Sequence, residues 1–226
     1  QVNVSASTAS GNSSYGFYIV SDGVSLTSNL ASGNGAAGFT LENISSSAVV
    51  TSNVATANTD DGFFLNGIGN QFHTLTSNTS TGNSGHGYFL NGSYANIVDS
   101  NTATGNGNGG IYVFAADNNV VISNTVTSNV GDGVFVGSSS GNRVISNVAR
   151  NNGTGFTVQD NGATASFDNY LASNTSDSNI GWAFRNLYNG LASARDTFTK
   201  NVILTSSTRP DSGVLNDVTA NRFSFE

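Results

Sequence analysis

Cysteine and methionine are absent from this 226-residue chain, proline occurs once, and neither lysine nor arginine appears before Arg143. Without cysteine there are no disulfides and no thiolate metal sites, although that absence leaves the compartment open. Without methionine the chain as given does not start at a translation start, so we expect that a signal peptide was removed or a fragment excised. No run of about 18 apolar residues is present, which excludes a membrane-spanning helix and with it membrane insertion by that route. Acids from Asp22 to Asp132 precede the first base, so the front of the molecule repels polyanions; nucleic acid and anionic lipid are not expected partners.

What the chain has instead is Gly, Ser, Thr and Asn, with only 9% charged residues. That composition alone would read as disordered, but a repeat overrides it. Two Asn five residues apart recur as Asn29/Asn34, Asn53/Asn58, Asn78/Asn83, Asn101/Asn106, Asn124/Asn129, Asn147/Asn152 and Asn174/Asn179. Ser7/Asn12 fits the same frame with one substitution, and four residues after each pair, or three after Asn152, comes a small residue followed by apolar residues two apart, in units that begin at Gly16, Gly38, Gly62, Gly87, Gly110, Gly133, Gly155 and Ala183. Turns are therefore mostly 22 to 25 residues long. They are too short for helical-repeat pairs, and an apolar spacing of two means short strands.

Three inward columns follow from the repeat. Val4, Leu26, Val50, Leu75, Val98, Val121, Val144 and Leu171 stand three residues before the first Asn, or before Ser7 in the case of Val4. Small residues such as Ala31, Ala55, Ala103 and Ala149 stand two residues after it, and a third strand supplies pairs such as Phe63/Leu65 and Tyr88/Leu90. Coiling three strands per turn stacks like on like about 4.8 Å apart. Asn then suits the bends: its amide bonds to the amides above and below, and its backbone tolerates left-handed conformations.

This pattern, over roughly residues 3 to 184, resembles the right-handed parallel β-helix repeats of the pectate-lyase-like superfamily, especially the NosD-like and mannuronan-epimerase-like group. The resemblance implies an all-β right-handed solenoid of eight to nine turns; right-handedness is carried over from the family. It does not fix an activity, because the superfamily spans lyases, hydrolases, epimerases, adhesins and tailspikes. Lyase-type catalysis would need an Arg or Lys base near acidic calcium ligands, and the first six turns contain no base. The epimerase Asp-Pro-His signature is absent, since Pro210 is the only proline. His73 and His86 fall at different repeat positions, so no copper site is carried over; no metal and no cofactor are expected.

The repeats are read as residues 1–184 and the more charged remainder, 185–226, as a cap or degenerate turn of the same domain. Nothing precedes Val4 to cover the other end, which points to truncation, a partner, or end-to-end stacking into a homo-oligomer or fibre.

Candidate chemistry lies on the third strand, where the residue between the two inward ones faces out: Tyr18, Thr40, Phe64, Phe89, Tyr112, Phe135 and Thr157. Such a stripe is either covered, by the chain's own C-terminal segment or a second subunit, or serves as a platform on which sugar rings stack. Glu42, Asn66, Asn91 and Gln159 flank it as hydroxyl partners. Asp61 and His86, one residue before their glycines on adjacent turns, are the candidates for acid–base work, with Asp60 beside them. Arg143, Arg150 and Arg185 are candidate uronate contacts set against ordinary surface charge. Two functions stay open: an extracellular, cell-surface or periplasmic scaffold that is not catalytic and contacts a polysaccharide or another protein subunit, or a carbohydrate-active lyase, epimerase or hydrolase with a groove on the third-strand sheet.

Overall fold

The computed structural model describes residues 2–44, 47–160, 166–187, 195–205, 214–216 and 222–225. Among them each repeat turn contributes three short strands, and each strand pairs in parallel with its counterparts one turn away. The middle of the molecule gives the pattern: Thr74–Thr76, Thr79–Thr81 and Tyr88–Asn91 make one turn, and Ile97–Asp99, Thr102–Thr104 and Ile111–Phe114 the next. The inward columns pair as the repeat implies, with Leu75 on Val50 and Val98, and Leu90 on Leu65 and Val113. Two departures are seen at the C-terminal end: the registers Val144↔Leu171 and Leu171↔Phe198 are each 27 residues apart.

The core is a set of one-residue-wide columns. Phe17, Phe39, Phe63 and Tyr88 stack with ring centroids 4.8 to 4.9 Å apart and planes within 5° of parallel. Parallel strands fix that spacing, so the rings inherit it from the backbone. Burying each Phe contributes about 2 kcal/mol. The buried Tyr88 hydroxyl donates to the Asn78 carbonyl oxygen at 2.8 Å, and burial pushes its pKa up.

The asparagines form ladders. Asn124 donates its backbone N–H and its side-chain amide to Oδ1 of Asn147 at 2.8 and 2.9 Å, and accepts the same pair from Asn101 at 2.8 and 3.1 Å. Its amide also donates to the Val98 carbonyl oxygen at 2.8 Å. The left-handed conformation expected of these asparagines belongs to the residue before them. Ser77, Ser100, Ser123 and Ser146, each preceding a ladder Asn, have φ between 55 and 57°. The division is physical: the tight bend needs one positive-φ residue, and the Asn that follows stays outside the left-handed region while its amide bonds to the next rung.

A third ladder is not among those the repeat predicts. It runs His73, Asn96, Asn119, Asn142, Asn169, Asp196, just ahead of the first strand of each turn, with links of 2.8 to 3.0 Å from each backbone N–H to the next side chain. Asp196 is buried, and desolvation raises its pKa to about 6. His73 is buried too, and desolvation lowers its pKa to about 4; its Nδ1 accepts from the Ala48 N–H at 2.9 Å.

The C-terminal segment continues the stacks where it is described. Thr197–Thr205 pairs with Tyr170–Ala172 and Thr175–Asp177, and Val214–Asn216 adds to the third-strand sheet beside Phe184–Leu187. Those strands lengthen the solenoid and do not lie across the outward aromatic stripe.

Candidate functional site

The nine-strand third sheet sets the outward residues in register: Tyr18↔Thr40↔Phe64↔Phe89↔Tyr112↔Phe135↔Thr157↔Arg185. Alternation thus places all seven sequence-predicted positions on one face. They are not equally open. Tyr18 is 48% exposed and Phe64, Phe89 and Tyr112 are half-buried, but Thr40, Phe135 and Thr157 are only 1, 7 and 1% exposed. Neighbouring rungs cover two of them: Phe135 lies flat on Tyr112, centroids 4.3 Å apart, and the Arg185 Nε donates to the Thr157 hydroxyl at 3.2 Å. The accessible platform is therefore Phe64, Phe89 and Tyr112, with Tyr18 two rungs away, and Phe135 acts as a backing ring.

The flanking polar residues bond to one another. Asn91 donates to Asn66 Oδ1 at 3.0 Å, and Tyr18 donates to Glu42 at 2.5 Å, a bond that with the carboxylate's charge holds the Tyr18 phenol pKa up. Gln159 closes the strand Thr154–Gln159, and its carbonyl oxygen accepts from the Ser166 hydroxyl.

Asp61 and His86 do meet. His86 Nδ1 lies 3.0 Å from Asp61 Oδ1, and the same oxygen accepts the His86 backbone N–H at 2.6 Å. The imidazole is wedged between aromatics, 5.0 Å from the Phe89 centroid and 4.5 Å from that of Tyr112. Asp60, beside the pair, has its pKa raised by burial and by the Asp61 charge. Asp61 thus anchors one ring nitrogen of His86.

A second pair completes the site, and the repeat spacing gives no sign of it. Arg185 reaches back from a later turn to Asp132, its Nη2 at 3.1 Å from Oδ2. Burial raises the Asp132 pKa, against the lowering effect of Arg185 and of hydrogen bonds from Thr157 and Thr154. Tyr112 faces the same carboxylate; burial and then the Asp132 charge raise its pKa. Between these groups is a hollow of about 320 Å³ lined by His86, Asn108, Gly109, Tyr112, Asp132 and Phe135, with Gly131 beside them. A larger hollow of about 420 Å³ lies elsewhere, at Gly141, Arg143, Asp168 and Tyr170; there Asp168 is tied to Arg195 at 2.6 Å and Arg143 lies over the Tyr170 ring. It holds no histidine and none of the outward third-strand aromatics. Arg150 is engaged with Asp177 at 2.7 Å. Among the described residues no three His, Asp or Glu side chains gather to hold a metal ion, and no helix is long and apolar enough to cross a membrane.

Comparison with known proteins bears on the fold. A family model described as right handed beta helix region matches residues 68–203. The mannuronan C-5 epimerase AlgE4 A-module of Azotobacter vinelandii superposes with a TM-score of 0.84 at 16% identity, over 98% of this chain and 63% of that one. The AlgE6 A-module of the same organism gives 0.78 at 18% identity, over 90% of this chain and 57% of that one. The periplasmic alginate epimerase AlgG gives 0.73 at 19% identity, over 84% and 48%. The chain thus spans less than two thirds of each of these structures, and at such identities the likeness is one of fold. No curated protein matches it.

Proposed function

On the scaffold of the right-handed β-helix family, to which this chain belongs, we propose an extracellular or periplasmic solenoid that binds a neutral glycan along the outer face of its third-strand sheet. The observation that carries this reading is the row of Phe64, Phe89 and Tyr112, in register and left half-open, leading into the hollow at Asp132. Rings repeated along parallel strands offer flat faces to successive sugars, and the polar atoms around them accept and donate to hydroxyls. Similar folds named for a mannuronan C-5 epimerase and for a periplasmic alginate epimerase support a carbohydrate partner and an exported location. A glycan array followed by calorimetry tests it. Phe64→Ala/Phe89→Ala should weaken binding at least tenfold, about 1.4 kcal/mol, without loss of fold; unchanged affinity in that variant would rule out the platform.

A second reading, that the groove performs acid–base chemistry on the glycan, is favoured by the Asp61–His86 contact at 3.0 Å. A histidine held by a carboxylate at one nitrogen presents the other for proton transfer. Where turnover of a bound glycan is found, His86→Ala should reduce kcat by about 100-fold or more. Undiminished turnover in that variant would leave His86 without a part in the chemistry.

A further inference from the structure

The residue preceding each third-strand glycine forms a column of its own, running Tyr15, Ala37, Asp61, His86, Gly109, Asp132, Thr154, Trp182. Backbone bonds place these on consecutive rungs: the Gly87 N–H donates to the Gly109 carbonyl oxygen at 3.0 Å and the Gly110 N–H to that of Asp132 at 2.9 Å. Gly109 is the one position in the column without a side chain, and it falls between His86 and Asp132. A Cβ built on it would sit 3.5 Å from His86 Cδ2, 3.8 Å from Tyr112 Cδ2 and 3.0 Å from the Asp132 carbonyl oxygen. Its φ is not in the left-handed region, and the one backbone constraint on a side chain there is that close approach of the Asp132 carbonyl oxygen. What glycine leaves is a hollow lined on one side by His86, whose Cδ2 is the ring atom nearest Gly109, and on the other by a carboxylate held by Arg185.

We propose that Gly109 opens a slot for a single neutral sugar ring between His86 and Asp132, gripping the polymer at one defined residue while Phe64 and Phe89 support the residues that follow. This rests on the glycan-binding reading above and adds the position and the charge class. The walls are two strand spacings apart, about 9.6 Å from backbone to backbone, which suits one ring flanked by two side chains. The hollow's 320 Å³ is at the small end of the roughly 300–1,000 Å³ range of ligand sites. The charge class follows from the walls. Asp132 lines the hollow and is already engaged by Arg185, while Asp61 is bonded to His86 at the other wall, with Asp60 next to it in sequence. Carboxylate oxygens accept from sugar hydroxyls, whereas a uronate would bring a further negative charge to acids with no unpaired cation beside them among the described residues.

The test uses cellohexaose, mannohexaose, xylohexaose and a mannuronate hexamer against the wild-type chain, Gly109→Ala, Gly109→Val and Phe64→Ala/Phe89→Ala. The slot predicts that at least one neutral hexamer binds and the mannuronate hexamer binds at least tenfold more weakly. It predicts a loss of at least tenfold in Gly109→Val, with Gly109→Ala in between. Saturation-transfer NMR on the wild-type protein needs no variant: one sugar residue should receive most of the transfer. Equal transfer to all residues, or undiminished binding by a folded Gly109→Val protein while Phe64→Ala/Phe89→Ala is weakened, overturns the slot and leaves the platform standing. Preference for mannuronate overturns the charge class. Binding to none of the four overturns the slot together with the reading on which it rests.

Discussion

Asn124→Ala is expected to destabilise the protein by about 4 kcal/mol or more, several times the effect of a typical surface substitution. The side chain lost is small, but its bonds are not replaceable. Asn124 Oδ1 takes both the backbone N–H and the amide of Asn101, and its own amide serves Oδ1 of Asn147 and the Val98 carbonyl oxygen. Removal leaves several buried polar groups unpaired at once, each at about 1–3 kcal/mol, in a bend too tight for water to enter without opening two turns. Chemical denaturation measures it. Asn124→Asp should be less damaging than Ala, since the carboxylate keeps the acceptor, and Asn124→Leu should be no better than Ala although it restores volume. A loss below about 1 kcal/mol for Ala, the scale of one ordinary hydrogen bond, would mean that the apolar columns alone hold the solenoid.

The third ladder yields the second large effect, a pH dependence with two opposed components. Asp196 has a pKa of about 6 in the folded chain against an ordinary 3.8, because burial disfavours the carboxylate. The folded state therefore holds that proton more tightly, and stability from this group is present below about pH 4 and lost as pH rises through 6. His73 runs the other way: its pKa is about 4 against 6.5, so its contribution is present above 6.5 and lost as pH falls toward 4. Each shift corresponds to about 3 kcal/mol at most, and between pH 4 and 6 they largely cancel. Asp196→Asn, which makes that rung an amide like the four before it, should raise stability at about pH 7.5 by up to about 3 kcal/mol and leave a protein that weakens on acidification. His73→Asn should leave one that strengthens on acidification. Denaturation midpoints for both variants at about pH 4.5 and about pH 7.5 check the signs. Parallel pH profiles for the two variants would refute the assignment of either group.

Much of the fold is legible in the sequence because the repeat is written in residues whose roles do not depend on context. A pair of asparagines five apart marks both ends of the second strand, and an apolar residue three before the first marks the inward side of the first. The third ladder is less visible because its rungs change chemistry, from His73 through four asparagines to Asp196, although Asn96, Asn119 and Asn142 recur 23 residues apart. Residue preference alone puts the left-handed backbone on the asparagines, whereas the residue before each one makes the bend. At the site, alternation shows which residues face outward but not what covers them. Phe135 and Thr157 are closed over by residues from other rungs, and such coverage depends on side-chain reach, which a period of two does not encode. The Asp132–Arg185 pair spans 53 residues and joins two different columns, so no spacing rule finds it. The empty place at Gly109 is a visible gap in a column otherwise occupied, but it acquires meaning only from His86 and Asp132 on either side.

A neutral glycan lying along the outer third-strand face is located most directly by amide hydrogen exchange, with and without a saturating neutral hexaose. Added protection is expected in Phe63–Asn66, Tyr88–Asn91, Ile111–Phe114 and the stretch around Gly131, with the first and second strands of the same turns unchanged. Protection on the Thr74–Thr76 or Thr79–Thr81 faces instead, or none under any neutral glycan, would refute binding at that face.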